Sequence, residues 1–178
     1  MAKAKVTIEG TSPIMMKKYP EVPIDGFDKK SKEEQAELSC YRISSTKELC
    51  IPGTAIQRAL VNAAAYSKGK GRASLQKITA ACVLVQPEFI GIGTKNYEVD
   101  SRPVVVPATK GRIMRHRPKI NKWKGTFELE WDETLLKKDE VKKIVDDMGK
   151  RVGLLEFRPA CKGPYGRCKT VKWEDYKE

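Results

Sequence analysis

TAIQRALVNAAAY, residues 54–66, sets Ile56, Ala59, Leu60, Ala63 and Ala64 at helical spacing, with Pro52 and Thr54 where a helix start tolerates or favours them. The small alanines on that face allow close approach to a sheet, and the Gly-Lys-Gly stretch at 69–71 breaks the helix. Working outward, the nearest regular patterns are strands. Toward the N-terminus, Lys5 to Glu9 alternate polar and apolar and stop at Gly10, the pattern of a half-buried strand. Between that strand and the helix, Pro13, Pro20, Pro23 and Gly26 punctuate a loop. Ser31 and Glu34 then open a short helix as a capping box, ending near Leu38, and residues 40–51 suggest a small hairpin turning at Ser44, Ser45 and Thr46. Toward the C-terminus, residues 79–92 hold Val83, Val85, Phe89 and Ile90 and are broken by Pro87, which fits a bent or edge strand. Residues 126–131 alternate as a further strand. Val141, Ile144, Val145 and Met148 mark an amphipathic helix capped by Asp139 and ended by Gly149, and a last strand covers 167–173.

With the surface pieces set aside, the order is βαββαβ. That is the order of a ferredoxin-like α+β sandwich, an antiparallel sheet with two helices on one face and the other face open to a ligand. A chain of 178 residues suits one domain, 1–178. The excursion over residues 93–124 is too long for a simple hairpin loop, and long insertions in compact domains are usually functional or disordered. Residues 103–106 and 112–117 can pair as an inserted β-hairpin arm turning at 109–111.

Charge singles out the same excursion. Residues 101–127 carry eight Lys or Arg, one His and no Asp or Glu, so eight of the net +12 charges sit in one segment. A one-signed strip attracts a polyanion, and single-stranded RNA or DNA is the expected partner, RNA above DNA. Arg102, Lys110, Arg112, Arg115, Arg117, Lys119, Lys122 and Lys124 are the residues expected to neutralise phosphates. Trp123, between two lysines, reads either as an exposed ring that stacks a base or as a core residue. A second basic stretch, the glycine-rich loop over 149–167, combines Gly163 and Gly166 with Arg151, Arg158, Lys162 and Arg167, and its glycines would let backbone amides approach phosphate.

Other chemistry has little footing in the sequence. His116 is the one histidine, so catalysis by a histidine pair or a His-rich metal site is excluded. Flanked by Arg115 and Arg117, it suits a backbone contact, or an acid or base in an endonuclease. The carboxylates around the second helix read as caps and solvated faces, and no glycine-rich nucleotide fingerprint occurs. No catalytic residue, metal or cofactor is expected. The five cysteines read as reduced, mostly structural thiols. The apolar runs are too short to span a bilayer and the N-terminus lacks the apolar core of a signal peptide, so a cytoplasmic, membrane-free protein is expected.

Three stretches together resemble the RAMP superfamily, the RNA-binding proteins of CRISPR systems. They are Leu49-Cys50-Ile51-Pro52-Gly53-Thr54-Ala55-Ile56-Gln57-Arg58-Ala59-Leu60, the glycine-rich Gly149–Leu154 with Lys162–Arg167, and Val6–Ile14. Within that superfamily the chain is similar to the backbone subunits of the Cas seven family, which line a guide RNA as a filament and carry an inserted β-hairpin thumb. It is also similar to stand-alone bacteriophage relatives, through Val99–Pro103 and Thr109–Arg115. The resemblance implies a ferredoxin-like (RRM/RAMP) fold, non-catalytic RNA binding, head-to-tail self-association on nucleic acid and CRISPR effector subunits as partners. A RAMP-type endonuclease and a phage protein that binds a host effector complex are the alternatives.

Overall fold

The computed structural model describes residues 1–69, 71 and 73–176. In chain order the elements are β1 (Ala2–Gly10), β2 (Ile14–Met15), α1 (Lys32–Leu38), β3 (Cys50–Pro52), α2 (Gly53–Ala63), α3 (Gln76–Cys82), β4 (Val83–Gln86), β5 (Phe89–Gly91), β6 (Glu98–Val105), β7 (Arg112–Ile120), β8 (Lys124–Trp131), α4 (Lys138–Asp147) and β9 (Cys168–Asp175). This is an α+β protein with antiparallel sheets. The main sheet runs β4-β8-β1-β9, with Val6 opposite both Phe127 and Trp173, and Val85 opposite Leu129.

Alternation along the strands builds the core. Ala4, Val6 and Ile8 of β1 and Phe127, Leu129 and Trp131 of β8 are buried, and Ile56, Ala59, Leu60 and Ala63 of α2 join Val141, Ile144 and Val145 of α4 in the same cluster. Each large side chain removed from water there contributes about 1.5–3 kcal/mol. On the opposite face Lys3 reaches Glu128 and Glu130 at 2.7 and 3.2 Å, and Lys172 reaches Glu174 at 2.8 Å. The open sheet face is therefore a mixed-sign, self-paired surface rather than a basic one.

One edge of this sheet is closed by a side chain. The Gln57 amide donates to the Val83 carbonyl at 2.7 Å and accepts from the Val85 amide at 3.0 Å, standing in for a further strand beside β4. It reaches there from α2, packed above.

Three expectations are corrected. Residues 76–82 are helical, and the strand expected over 79–92 divides at Pro87, so that β4 stays in the main sheet while β5 pairs with β3, Ile90 opposite Ile51. The hairpin over 40–51 forms as expected, with the Ile43 amide bonded to the Glu48 carbonyl at 2.9 Å, Arg42 bridged to Leu49 and the Cys50 amide on the Tyr41 carbonyl at 3.0 Å, and β3 pairs with β5 on its other edge. Asp139 is not the cap of α4; the first-turn Glu140 carboxylate accepts from the Lys137 amide at 2.8 Å. Nor does Gly149 end that helix. The chain continues through a π turn over Met148–Val152, closed by the Gly153 amide on the Met148 carbonyl, and a Cβ on Gly149 would lie 2.1 Å from the Cys168 carbonyl. Gly149 serves the close approach of helix to last strand. Lys70, the middle of the expected helix breaker, lies outside the described residues.

The arm is present and longer than expected. β6 and β7 pair from Glu98 opposite Lys119 to Val105 opposite Arg112, and Ile120 pairs on with Ile14 of β2. At the tip the Lys110 amide bonds to the Val106 carbonyl at 2.7 Å, with Lys110 itself at φ 53°. The helix α1, opened by the expected Ser31–Glu34 capping box, packs against β7 and β6 and holds the base of the arm.

Candidate nucleic-acid interface

Half of the arm's cations are neutralised, two by acids from outside the arm and two by acids of β6 itself. Arg117 is 7% exposed and bound to Glu156 at 3.0 Å; Arg115 meets Asp28 at 3.0 Å and Lys119 meets Glu98 at 3.7 Å. Arg102 is held by Asp100 at 2.6 and 2.8 Å and by the Tyr165 hydroxyl at 3.0 Å, and lies over the Phe157 and Tyr165 rings. Its guanidinium hydrogen bonds hold the Asp100 carboxyl below the usual carboxylate range. Of the eight cations expected to meet phosphate, four are thus engaged within the chain. Lys110, Arg112, Lys122 and Lys124 are exposed and, among the described residues, make no ion pair. His116 faces the other side of the arm from Arg115 and Arg117, with Nδ1 2.6 Å from Ser101 Oγ.

Trp123 is not a stacking platform. It is 3% exposed, donates from Nε1 to the Ser12 carbonyl at 2.9 Å and lies flat on Gly10, where a Cβ would fall 2.2 Å from that nitrogen. Trp123→Ala is expected to cost about 3–5 kcal/mol in urea unfolding. The folded fraction should keep the wild-type salt dependence of strand binding in a fluorescence-anisotropy titration. A changed salt slope would return Trp123 to the interface.

The glycine-rich loop is also arranged differently from the expectation. Gly163 and Gly166 spend their amides inside the protein, on the Arg158 carbonyl at 3.0 Å and the Pro13 carbonyl at 2.8 Å. Neither offers an amide to phosphate. The strap over residues 154–158 differs in having amides without such partners. Its even positions bond inward, Leu154 to the Gly166 carbonyl and Glu156 to the Met15 carbonyl, both at 3.0 Å. Its odd positions, Leu155 and Phe157, sit at φ 59° and 50°, and among the described residues their amides have no acceptor within the chain. Left-handed backbone at bulky residues is uncommon and gathers at functional sites, and amides freed by such alternation form anion-binding concavities. Of the loop's cations, Arg158 donates to the Leu155 carbonyl at 2.8 Å, Arg151 is paired with Asp147 at 3.1 Å, and Lys162 and Arg167 are exposed.

The strap divides two clefts that share Glu156 and Arg158. The first, about 350 Å³, lies between the strap and α2 and is lined by Lys17, Tyr19, Tyr41, Arg58 and Asn62. The second, about 330 Å³, lies under the arm beside Arg102, Val104, Arg117 and Phe157. Burial first, and then the charge of Arg115, pushes the Lys17 ammonium below its ordinary value. Around the strap, Lys17, Arg58, Arg102, Arg115, Arg117 and Arg158 face, among the described residues, Glu156, Asp28 and Asp100 as counter-charges, an excess of positive charge. The sequence reading missed Lys17, Tyr41, Arg58 and Asn62. The available signal was the polar stripe Thr54, Arg58, Asn62 at i, i+4, i+8, opposite the apolar face that defined the helix.

No known protein family profile matches the chain, and no curated protein matches its sequence. Its fold is similar to that of a chain in the type III-B Cmr-beta complex bound to cognate target RNA, with a TM-score of 0.59 at 13% identity. The superposition covers 99% of this chain but 61% of the Cmr-beta chain, so this protein spans less than two thirds of the length of its neighbour.

Proposed function

We propose that this chain is a non-catalytic, ferredoxin-like protein of RAMP, Cas-seven-like type that binds single-stranded RNA, and DNA less well, along the strap, its two clefts and the unpaired arm cations. The carrying observation is the convergence of Lys17, Arg58 and Arg158 with the free amides of Leu155 and Phe157 on one strap. The strand order β4-β8-β1-β9 supports the fold assignment, because each βαβ unit leaves one strand between its own two. The likeness in fold to a chain of an RNA-bound Cmr-beta complex supports RNA as ligand and CRISPR effector subunits as partners. Head-to-tail self-association on the strand, in the cytoplasm, completes the reading.

Protein purified without nuclease should carry nucleic acid, seen as a raised 260/280 nm absorbance ratio, and the stripped protein should bind single strands better than duplex. Equal affinity for duplex, or none for either, defeats the proposal. The Ser101–His116 hydrogen bond favours one second reading, a RAMP-type endonuclease. His116→Ala separates the two. Binding retained, with a wild-type cleavage activity abolished, establishes the enzyme; no cleavage by either form supports the binding-only protein.

A further inference from the structure

We propose that the cleft beside α2 receives one unstacked nucleobase of the bound strand, stacked on Tyr41 and read at its edge by Asn62, so that binding there depends on base identity. This rests on the nucleic-acid reading above and adds a specificity site to it.

The α2 wall of the cleft is a stripe. Thr54, Arg58 and Asn62 succeed one another at four-residue steps on the face opposite Ile56, Ala59, Leu60 and Ala63, and together span about 12 Å along the helix. Among the described residues, none of the three side chains bonds to another part of the chain. Their chemistry differs in a useful way. Lys17, Arg58 and Arg158 only donate and suit phosphate, whereas the Asn62 amide both donates and accepts, as a base edge requires. Tyr41 supplies the apolar wall. Its ring packs on the core while the residue still lines the cleft, and burial pushes its phenol above the ordinary tyrosine value, keeping it neutral. A volume of about 350 Å³ is ample for one base. A strand backbone passing over the strap amides would run beside this cleft, which carries the Tyr41 ring and the Asn62 amide.

The test uses nonamers of A, C and U with the full-length protein. Wild type is expected to rank them unequally, and Asn62→Ala to bring them within about twofold of each other. Tyr41→Leu should weaken all three by roughly tenfold with the salt slope unchanged, since stacking releases no counterions, and Tyr41→Phe should bind as wild type. A strand carrying 4-thiouridine should photo-crosslink to the peptide holding Tyr41 or Tyr19. Because Asn62 is exposed, its variant stays folded even if Tyr41→Leu does not. Equal affinities in wild type and Asn62→Ala, or crosslinks confined to the arm, overturn the base site while strand binding stands. Failure of the wild type to bind any nonamer removes the parent reading as well.

Discussion

Replacing Lys17, Arg58 and Arg158 together by alanine is expected to weaken binding to single strands of any sequence by about a hundredfold at 0.1 M salt. The slope of log affinity against log salt should flatten by about 2, from about 0.7 per phosphate contact on a single strand. The three cations surround one strap but come from three separate segments, 15–19, α2 and the strap itself, so no single loop rearrangement removes them together. Arg58 is exposed, and surface substitutions usually change stability by less than about 0.5 kcal/mol. The arm provides the contrast. In Arg112, Arg115 and Arg117, only Arg112 lacks an ion pair among the described residues, so alanine at all three should flatten the slope by about 0.7 only. That arm variant should also lose stability, because Glu156 is left without its buried partner. An arm effect as large as the strap effect would relocate the principal phosphate contacts to the hairpin.

Gly166→Val should prevent stable folding, with binding lost in proportion to the unfolded fraction. Gly166 sits at φ 74°, and a Cβ there would lie 2.0 Å from the Leu154 carbonyl oxygen. Its amide holds the Pro13 carbonyl and its carbonyl receives the Leu154 amide, so the residue ties the strap to the turn after β1. Left-handed backbone at a β-branched residue costs about 1–2 kcal/mol and each lost hydrogen bond about 1 kcal/mol, before any clash is counted. More than about 4 kcal/mol is expected from an ordinary total of 5–15 kcal/mol. Gly26→Ala is the control. Its φ is 69° but nothing lies within 4 Å of a Cβ, so about 1 kcal/mol is expected. Urea midpoints of the two variants decide the matter, and a Gly166→Val protein with a native midpoint would show that the strap is not anchored there.

What could be read in the sequence was what short-range periodicity encodes. Alternation located β1 and β8, the 3.6-residue period located α2 and most of α4, and the turn at 109–111 located the arm. The charge of Arg115 and Arg117 is met for a long-range reason, whereas that of Arg102 and Lys119 is met by Asp100 and Glu98, just before the strip. The strip at 101–127 is one-signed along the chain, yet Asp28 lies 87 positions from Arg115, and Glu156 lies 39 from Arg117. Only folding shows that acids from before and after the arm come to rest on it. Trp123 did carry a local signal, since exposed Lys122 and Lys124 on either side of a buried residue follow the two-residue period of a strand. The strap carried none. Leu155 and Phe157 are ordinary apolar letters, and their left-handed backbone is imposed by bonds to Met15 and Gly166. The glycines nearby drew attention to the same loop through amides that the fold bonds inward.

The side-chain amide of Gln57 gives the main sheet unlike ends, a plugged one at β4 and, among the described residues, a bare one at β9. Two molecules joining these sheets through their main chains would have β9 alone to offer. β9 against β9 is a two-fold union that uses up both bare ends and stops at a pair. Any chain of many copies would therefore have to be linked through a surface other than the main sheet. Gln57→Leu would remove that asymmetry and turn a protein with one sticky end into one with two.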